Sequence, residues 1–238
     1  MSSAHAAENI THQGLRARVT RPAEPTTGGV IVLPGWDGIK GETGAHARSI
    51  AAAGLVALEW DPFSAYPEDV SKEKRWELTQ KVIRDEDALK EHKVWREYMQ
   101  GELKLAKIGV TGFCMGGRMA LNLAAHDHEI SACTPFYATL WDPVRPQHLD
   151  GAGLSSLIRC PVQIHQPGHD TNCSLWTYDR LRKTLESRQA GVPLLWEYYP
   201  EADHGWMGTA MQAKNPNNLP AAQLSWPMAL AFLRACLL

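Results

Sequence analysis

Residues 107–125 read Lys107-Ile108-Gly109-Val110-Thr111-Gly112-Phe113-Cys114-Met115-Gly116-Gly117-Arg118-Met119-Ala120-Leu121-Asn122-Leu123-Ala124-Ala125. The run 107–111 is short and lacks polar alternation, the pattern of a strand buried on both faces. The run 118–125 is rich in strong helix formers. Only 112–117 separate them, so the chain must turn sharply from strand to helix. A turn that tight forces its central residue, Cys114, into strained backbone angles. It leaves room only for small residues two positions before and after, and Gly112 and Gly116 stand there. Such a turn lifts the sulfur above the sheet edge. It also aims the free N–H groups of the helix start at the same point, where an oxyanion could form, and a helix N-terminus lowers a thiol pKa.

Moving outward, 29–35 is a β-branched run stopped by Pro34-Gly35, a buried strand entering a tight loop. Residues 14–22 alternate and predict an edge strand. A helix is predicted over 46–53, a strand over 55–60, and two amphipathic helices within 67–102. In that segment the charge run 84–91 reads as a solvated helix face. Strands follow at 130–138, 161–165 and 194–199, with helices at 176–190 and 224–238. Strands alternating with helices predict an α/β fold with a mostly parallel sheet covered on both faces. The absence of repeats or a low-complexity linker predicts one domain over 1–238.

Composition narrows the class. Lys and Arg number 24 against 26 Asp and Glu, so no charge excess points to nucleic acid or an anionic membrane. Hydrophobic residues make up 44%, enough for a core. No apolar run is long enough to span a bilayer, and the N-terminus lacks a signal-like pattern. The five cysteines are scattered, which fits free thiols and a cytoplasmic setting. Cys133, Cys160 and Cys236 lie in apolar stretches and are expected in the core. Cys173 is near Asp170, could be exposed, and is assigned no role. His126-Asp127-His128 could suggest a metal, but no matching ligands accompany it, and a solvated helix cap is the expectation. No metal or cofactor is expected.

Two later strand ends complete a constellation. Asp170 follows the strand 161–165, and His204 follows 194–199. In a parallel sheet the C-terminal strand ends share one edge, where ligands bind. Nucleophile, acid, histidine is the chain order of α/β-hydrolases. Cys114 would attack, His204 would move the proton, and Asp170 would orient His204. Alone, each residue has an ordinary reading: an inert buried thiol, a loop aspartate, a surface histidine. Trp36 and Trp206 neighbour the site loops and are candidates for lining the substrate pocket.

Gly112-Phe113-Cys114-Met115-Gly116-Gly117, Gly168-His169-Asp170 and Ala202-Asp203-His204-Gly205-Trp206 resemble the dienelactone hydrolase family, and the resemblance runs from about Val30 to the C-terminus. It implies an α/β-hydrolase fold of about eight strands with helices on both faces. It implies a Cys114–Asp170–His204 triad and no metal. It implies a small ester or lactone as the partner molecule, including dienelactone. It further implies oxyanion donors at the backbone N–H groups of Met115 and Trp36. Two positions depart from the family pattern. The family's activating glutamate falls at Gly35, with Asp37 and Glu42 as the nearby acids. No arginine follows the histidine in Gly205-Trp206-Met207-Gly208, which points to a more apolar ligand face. Direct deprotonation of Cys114 by His204 is therefore expected. Alternatives are a general carboxylesterase or thioesterase, or a non-catalytic ligand or redox sensor. A monomer or small homo-oligomer is expected.

Overall fold

A computed structural model describes residues 5–39, 41–188 and 191–238; the side chains of Gly41 and Glu42 lie outside the description. Eight strands form one sheet: β1 (Ala7–His12), β2 (Leu15–Thr20), β3 (Gly28–Leu33), β4 (Val56–Trp60), β5 (Lys107–Phe113), β6 (Ile130–Phe136), β7 (Val162–His169) and β8 (Leu194–Asp203). Their spatial order is β1-β2-β4-β3-β5-β6-β7-β8. β2 pairs antiparallel with both neighbours, and all pairs from β4 to β8 are parallel. This is the expected mostly parallel α/β sheet.

The helices are α1 (Gly41–Ala52), α2 (Lys72–Lys81), α3 (Asp85–Gly101), α4 (Met115–His126), α5 (Gly151–Leu154), α6 (Leu175–Glu186), α7 (Thr209–Lys214) and α8 (Asn218–Leu237). Strand β3 shows how the sheet joins two cores. Ile31 and Leu33 belong to the core on one face, which also takes in side chains of α3, α4 and α6, while Val30 and Val32 belong to the core on the other, with side chains of α1 and α8. All four are fully buried. Burying such a side chain contributes about 1.5–3 kcal/mol, so the strand beside the Cys114 turn is firmly held.

Several expectations change. The strand expected at the edge over 14–22 is β2, and it is not at the edge: β1 takes that place, joined to β2 by a hairpin whose turn residues Gln13 and Gly14 have φ of 50° and 79°. β1 escapes pattern reading because it is largely exposed and buries too little to show alternation. β7 and β8 both run past the expected turn residues, to His169 and Asp203. The last helix begins at Asn218, with Pro220 in its first turn where a missing N–H costs nothing. The helix expected over 176–190 ends at Glu186, and Ala190 lies outside the described residues.

The charge run 84–91 is not simply solvated. Asp85, 1% exposed, is bound through both oxygens by Arg118 at 2.9 and 3.0 Å and also receives Asn122 Nδ2–H and the Leu149 N–H. Glu91 accepts from Trp60 Nε1–H. Asp127 is likewise buried, taking Arg96 Nε–H at 2.9 Å and the Glu129 N–H at 3.1 Å. Cys173, which the sequence leaves open, is buried.

Candidate active site

The turn after β5 has the strained geometry that its spacing predicts. Cys114 has φ 58° and ψ −115°, a region costly for any residue with a side chain. A Cβ on Gly112 would lie 2.2 Å from Gly116 O, and one on Gly116 would lie 2.1 Å from Leu33 O. Neither position can hold another residue without moving backbone. The Cys114 N–H donates to Phe136 O, and the Cys114 carbonyl accepts from the N–H groups of Gly117, Arg118 and Thr139.

Asp170 directly follows β7 and His204 directly follows β8, so the sheet edge brings both beside Cys114. His204 Nδ1–H donates to Asp170 at 3.0 and 3.1 Å to its two oxygens. Asp170 Oδ1 also accepts the Asn172 and Cys173 N–H groups, and Oδ2 accepts from Tyr178 OH. This fixes the carboxylate, and the carboxylate fixes the ring. His204 Nε2 is buried and makes no well-formed hydrogen bond. It lies close enough to the Cys114 sulfur for each group to shift the other.

Burial alone would push the Cys114 thiol up. The His204 charge and hydrogen bond outweigh it, helped by the Thr139 hydroxyl and the Met115 N–H, and the thiol ends below its ordinary value. Burial alone would pull His204 down. The Cys114 charge and Asp170 outweigh it, and the imidazole ends well above its ordinary value. Both directions favour a thiolate–imidazolium pair.

Two cavities meet at Cys114 and His204. One, of about 830 Å³, is lined by Phe113, Tyr137, His46, Met207 and Met211, with Lys72 and Lys214 also on its wall. The other, of about 450 Å³, is lined by Trp76, Trp141, Arg145 and His148. Trp36 borders both, and its ring meets Trp76 edge-on at 5.1 Å. Trp206 does not line either one. It is fully buried behind Tyr137, with Nε1–H donated to Ser225. Gly205, at φ 83°, turns the chain so that Trp206 enters the core and Met207 takes the pocket wall.

At Gly35 a Cβ would lie 3.7 Å from Cys114 Cβ and 3.6 Å from Asp37 Oδ1. A side chain there would stand beside the sulfur; in this chain the Asp37 carboxylate borders that space instead. Sequence reading gave no sign of three further residues. Thr139 Oγ lies 3.2 Å from Cys114 Sγ. Tyr137, strained at φ 36°, sets its ring edge-on to His204 at 5.2 Å. His46 stacks on Phe113 at 4.6 Å, and burial pushes its pKa down to about 4, so it faces the larger cavity uncharged. Among the described residues, no group of three or more His, Cys, Asp or Glu side chains could hold a metal ion. No described helix is long and apolar enough to cross a membrane.

Residues 15–237 match the model of the dienelactone hydrolase family. A Bradyrhizobium protein named "Probable 2-oxo-3-(5-oxofuran-2-ylidene)propanoate lactonase" is 28% identical over 210 residues, 86% of this chain and 82% of that protein. A "Putative carboxymethylenebutenolidase" of Methylorubrum extorquens is 30% identical over 107 residues, 44% of this chain and 36% of that protein. Among solved structures, a "Putative Dienelactone Hydrolase" from Klebsiella pneumoniae superposes with a TM-score of 0.77 at 21% identity, covering 96% of this chain and 97% of that one.

Proposed function

The chain belongs to the dienelactone hydrolase family and is a hydrolase of esters or lactones, and on that premise we propose that Cys114, His204 and Asp170 carry the reaction as a triad. The observation that supports this most is the bound pair His204–Asp170, with its second ring nitrogen left for the sulfur of a strained turn. The thiolate adds to the carbonyl carbon. The oxyanion forms beside the N–H of Met115 at the head of α4, with the Trp36 N–H as second donor. Collapse expels the alkoxide, which takes a proton from the His204 imidazolium. A lactone opens at this step, and an acyl-thioester remains. His204 then takes a proton from water, the water oxygen adds to the thioester carbonyl, and the thiolate leaves.

The two cavities leave room for a substrate on both sides of the carbonyl. Lactones are the first substrate class to test, since the relatives above are named as a "Probable" lactonase and a "Putative carboxymethylenebutenolidase". The apolar wall of Phe113, Met207 and Met211 favours a second reading, a general carboxylesterase of less polar esters. A panel of p-nitrophenyl esters, simple lactones and dienelactone against wild type, Cys114→Ser and Cys114→Ala separates these. The expected result is lactone turnover with an acyl adduct on Cys114 by mass spectrometry. Undiminished turnover in Cys114→Ala would overturn the triad.

A further inference from the structure

Thr139 stands three residues past the end of β6, in no motif. Its side-chain oxygen is 3.2 Å from Cys114 Sγ. It is buried, at 7% exposure, and is held from both sides of its backbone. Its N–H donates to Cys114 O at 3.0 Å, and its carbonyl accepts from Arg118 Nη1 at 3.1 Å. Arg118 is itself locked by its buried pair with Asp85. The ion pair reached from α3 therefore sets where the Thr139 hydroxyl sits.

We infer that Thr139 is a catalytic residue: its hydroxyl donates a hydrogen bond to the Cys114 thiolate and supports the sulfur as it leaves the acyl-thioester. This rests on the reading of Cys114 as the nucleophile. With the thiol protonated, either atom could donate. Once His204 holds the proton the sulfur is only an acceptor, so the hydroxyl must be the donor. At Gly35 no side chain is present to play that part.

The contact changes strength along the reaction. In the acyl-thioester the sulfur carries no full charge and accepts weakly. In deacylation the C–S bond breaks, its electron pair returns to sulfur, and the negative charge re-forms within reach of the hydroxyl. A contact that strengthens as charge develops lowers that barrier. In acylation it acts the other way: it stabilises the attacking thiolate, raising its fraction while reducing its intrinsic nucleophilicity. Loss of the hydroxyl should therefore slow deacylation more than acylation.

Thr139→Val keeps the shape and both backbone bonds; Thr139→Ser keeps the hydroxyl. The first measurement is the alkylation rate of Cys114 by iodoacetamide across pH, which needs no ester turnover. A charge-assisted hydrogen bond of ordinary strength corresponds to a rise of about one pH unit in the thiol titration of Thr139→Val, with Thr139→Ser near wild type. An unshifted Thr139→Val, or a Thr139→Ser that behaves like it, overturns the inference. The second measurement is rapid-mixing turnover of an ester. The expected result is roughly tenfold lower kcat with a larger burst and accumulated acyl-enzyme, since one such bond is worth about one decade in rate. A lower acylation rate with no burst overturns the deacylation role. If Thr139→Val does not fold, Thr139→Ala carries the same titration without adding an atom. Turnover that survives Cys114→Ala sinks the triad instead, while the alkylation titration still judges the hydroxyl.

Discussion

Strands β7 and β8, with the residues just after them, carry two largely buried histidine–carboxylate pairs, and only one of the two is placed beside a nucleophile candidate. At the strand ends His204 binds Asp170 and turns its other nitrogen toward Cys114. Further down the same strands the order is reversed: His165 is on β7 and Glu197 on β8. His165 is fully buried and stacks on Phe136 at 3.9 Å. Its Nε2 meets Thr134 Oγ at 3.1 Å, and its Nδ1 lies 3.0 Å from Glu197 Oε2 but poorly aligned for a hydrogen bond. Burial pulls His165 below its ordinary pKa despite the nearby carboxylate, whereas His204 is raised. A histidine beside a carboxylate is thus no base by itself. The third partner decides: an ionisable thiol charges one ring, and an apolar stack with a neutral hydroxyl keeps the other uncharged.

The largest effects should fall on the pair at the sheet edge. His204→Ala and Asp170→Asn should each lower kcat/KM by about 10⁴, the scale seen when a triad member or its tautomer is lost. In His204→Ala the iodoacetamide titration of Cys114 should move up toward the ordinary ~8.5. An unmoved thiol titration would break the claimed difference between the pairs. His165→Ala should instead leave kcat nearly unchanged and destabilise the fold by about 2–4 kcal/mol, because it opens a cavity under Phe136 and strands the Thr134 hydroxyl. Denaturant midpoints and steady-state rates on the same preparation check both halves.

The pH profile sharpens the comparison next. Below the lowered thiol pKa the pair is lost by protonation of sulfur. On the proposed mechanism, as pH rises His204, whose pKa is pushed up to about 10, gives up its proton and no longer protonates the leaving alkoxide. Turnover should therefore show a plateau that begins below pH ~8.5 and ends on the alkaline side. Asp170→Asn should narrow that plateau from the alkaline end, since the Asp170 hydrogen bond helps raise His204. Glu197→Gln should leave its edges where they are.

How much of this was visible in the sequence follows from where burial and turns fall. β3 and β5 bury almost every side chain, and the Gly112–Cys114–Gly116 spacing permits few other backbones, so the centre of the fold was legible. That Cys114, Asp170 and His204 lie at one sheet edge was legible because each directly follows a strand. Trp206 was misjudged because closeness in sequence to His204 does not survive the turn at Gly205. Asp85 was misjudged because its partner, Arg118, lies 33 positions away, on a helix that the charge run does not reveal. Thr139 and His46 have no local signal, since only the folded sheet edge brings them to the sulfur or the cavity.

The smallest predicted effect is the most specific test of the contrast. Glu197 is opposed by burial, but His165, Tyr199 and Gln163 outweigh that and lower its pKa below the ordinary carboxylate value. A carboxylate depressed in the folded state contributes stability above its unfolded pKa, and that stability is lost as pH falls through the folded one. Glu197→Gln should thus cost about 1–2 kcal/mol at neutral pH, the worth of charge-assisted hydrogen bonds. The gap to wild type should stay level down to pH ~5 and close in stronger acid. Throughout, kcat should not change, because His165 is already uncharged and reaches no substrate cavity. A loss of kcat in Glu197→Gln comparable to that of Asp170→Asn would mean that the two pairs act as one network through β7 and β8, and the distinction drawn from the third partner would fail.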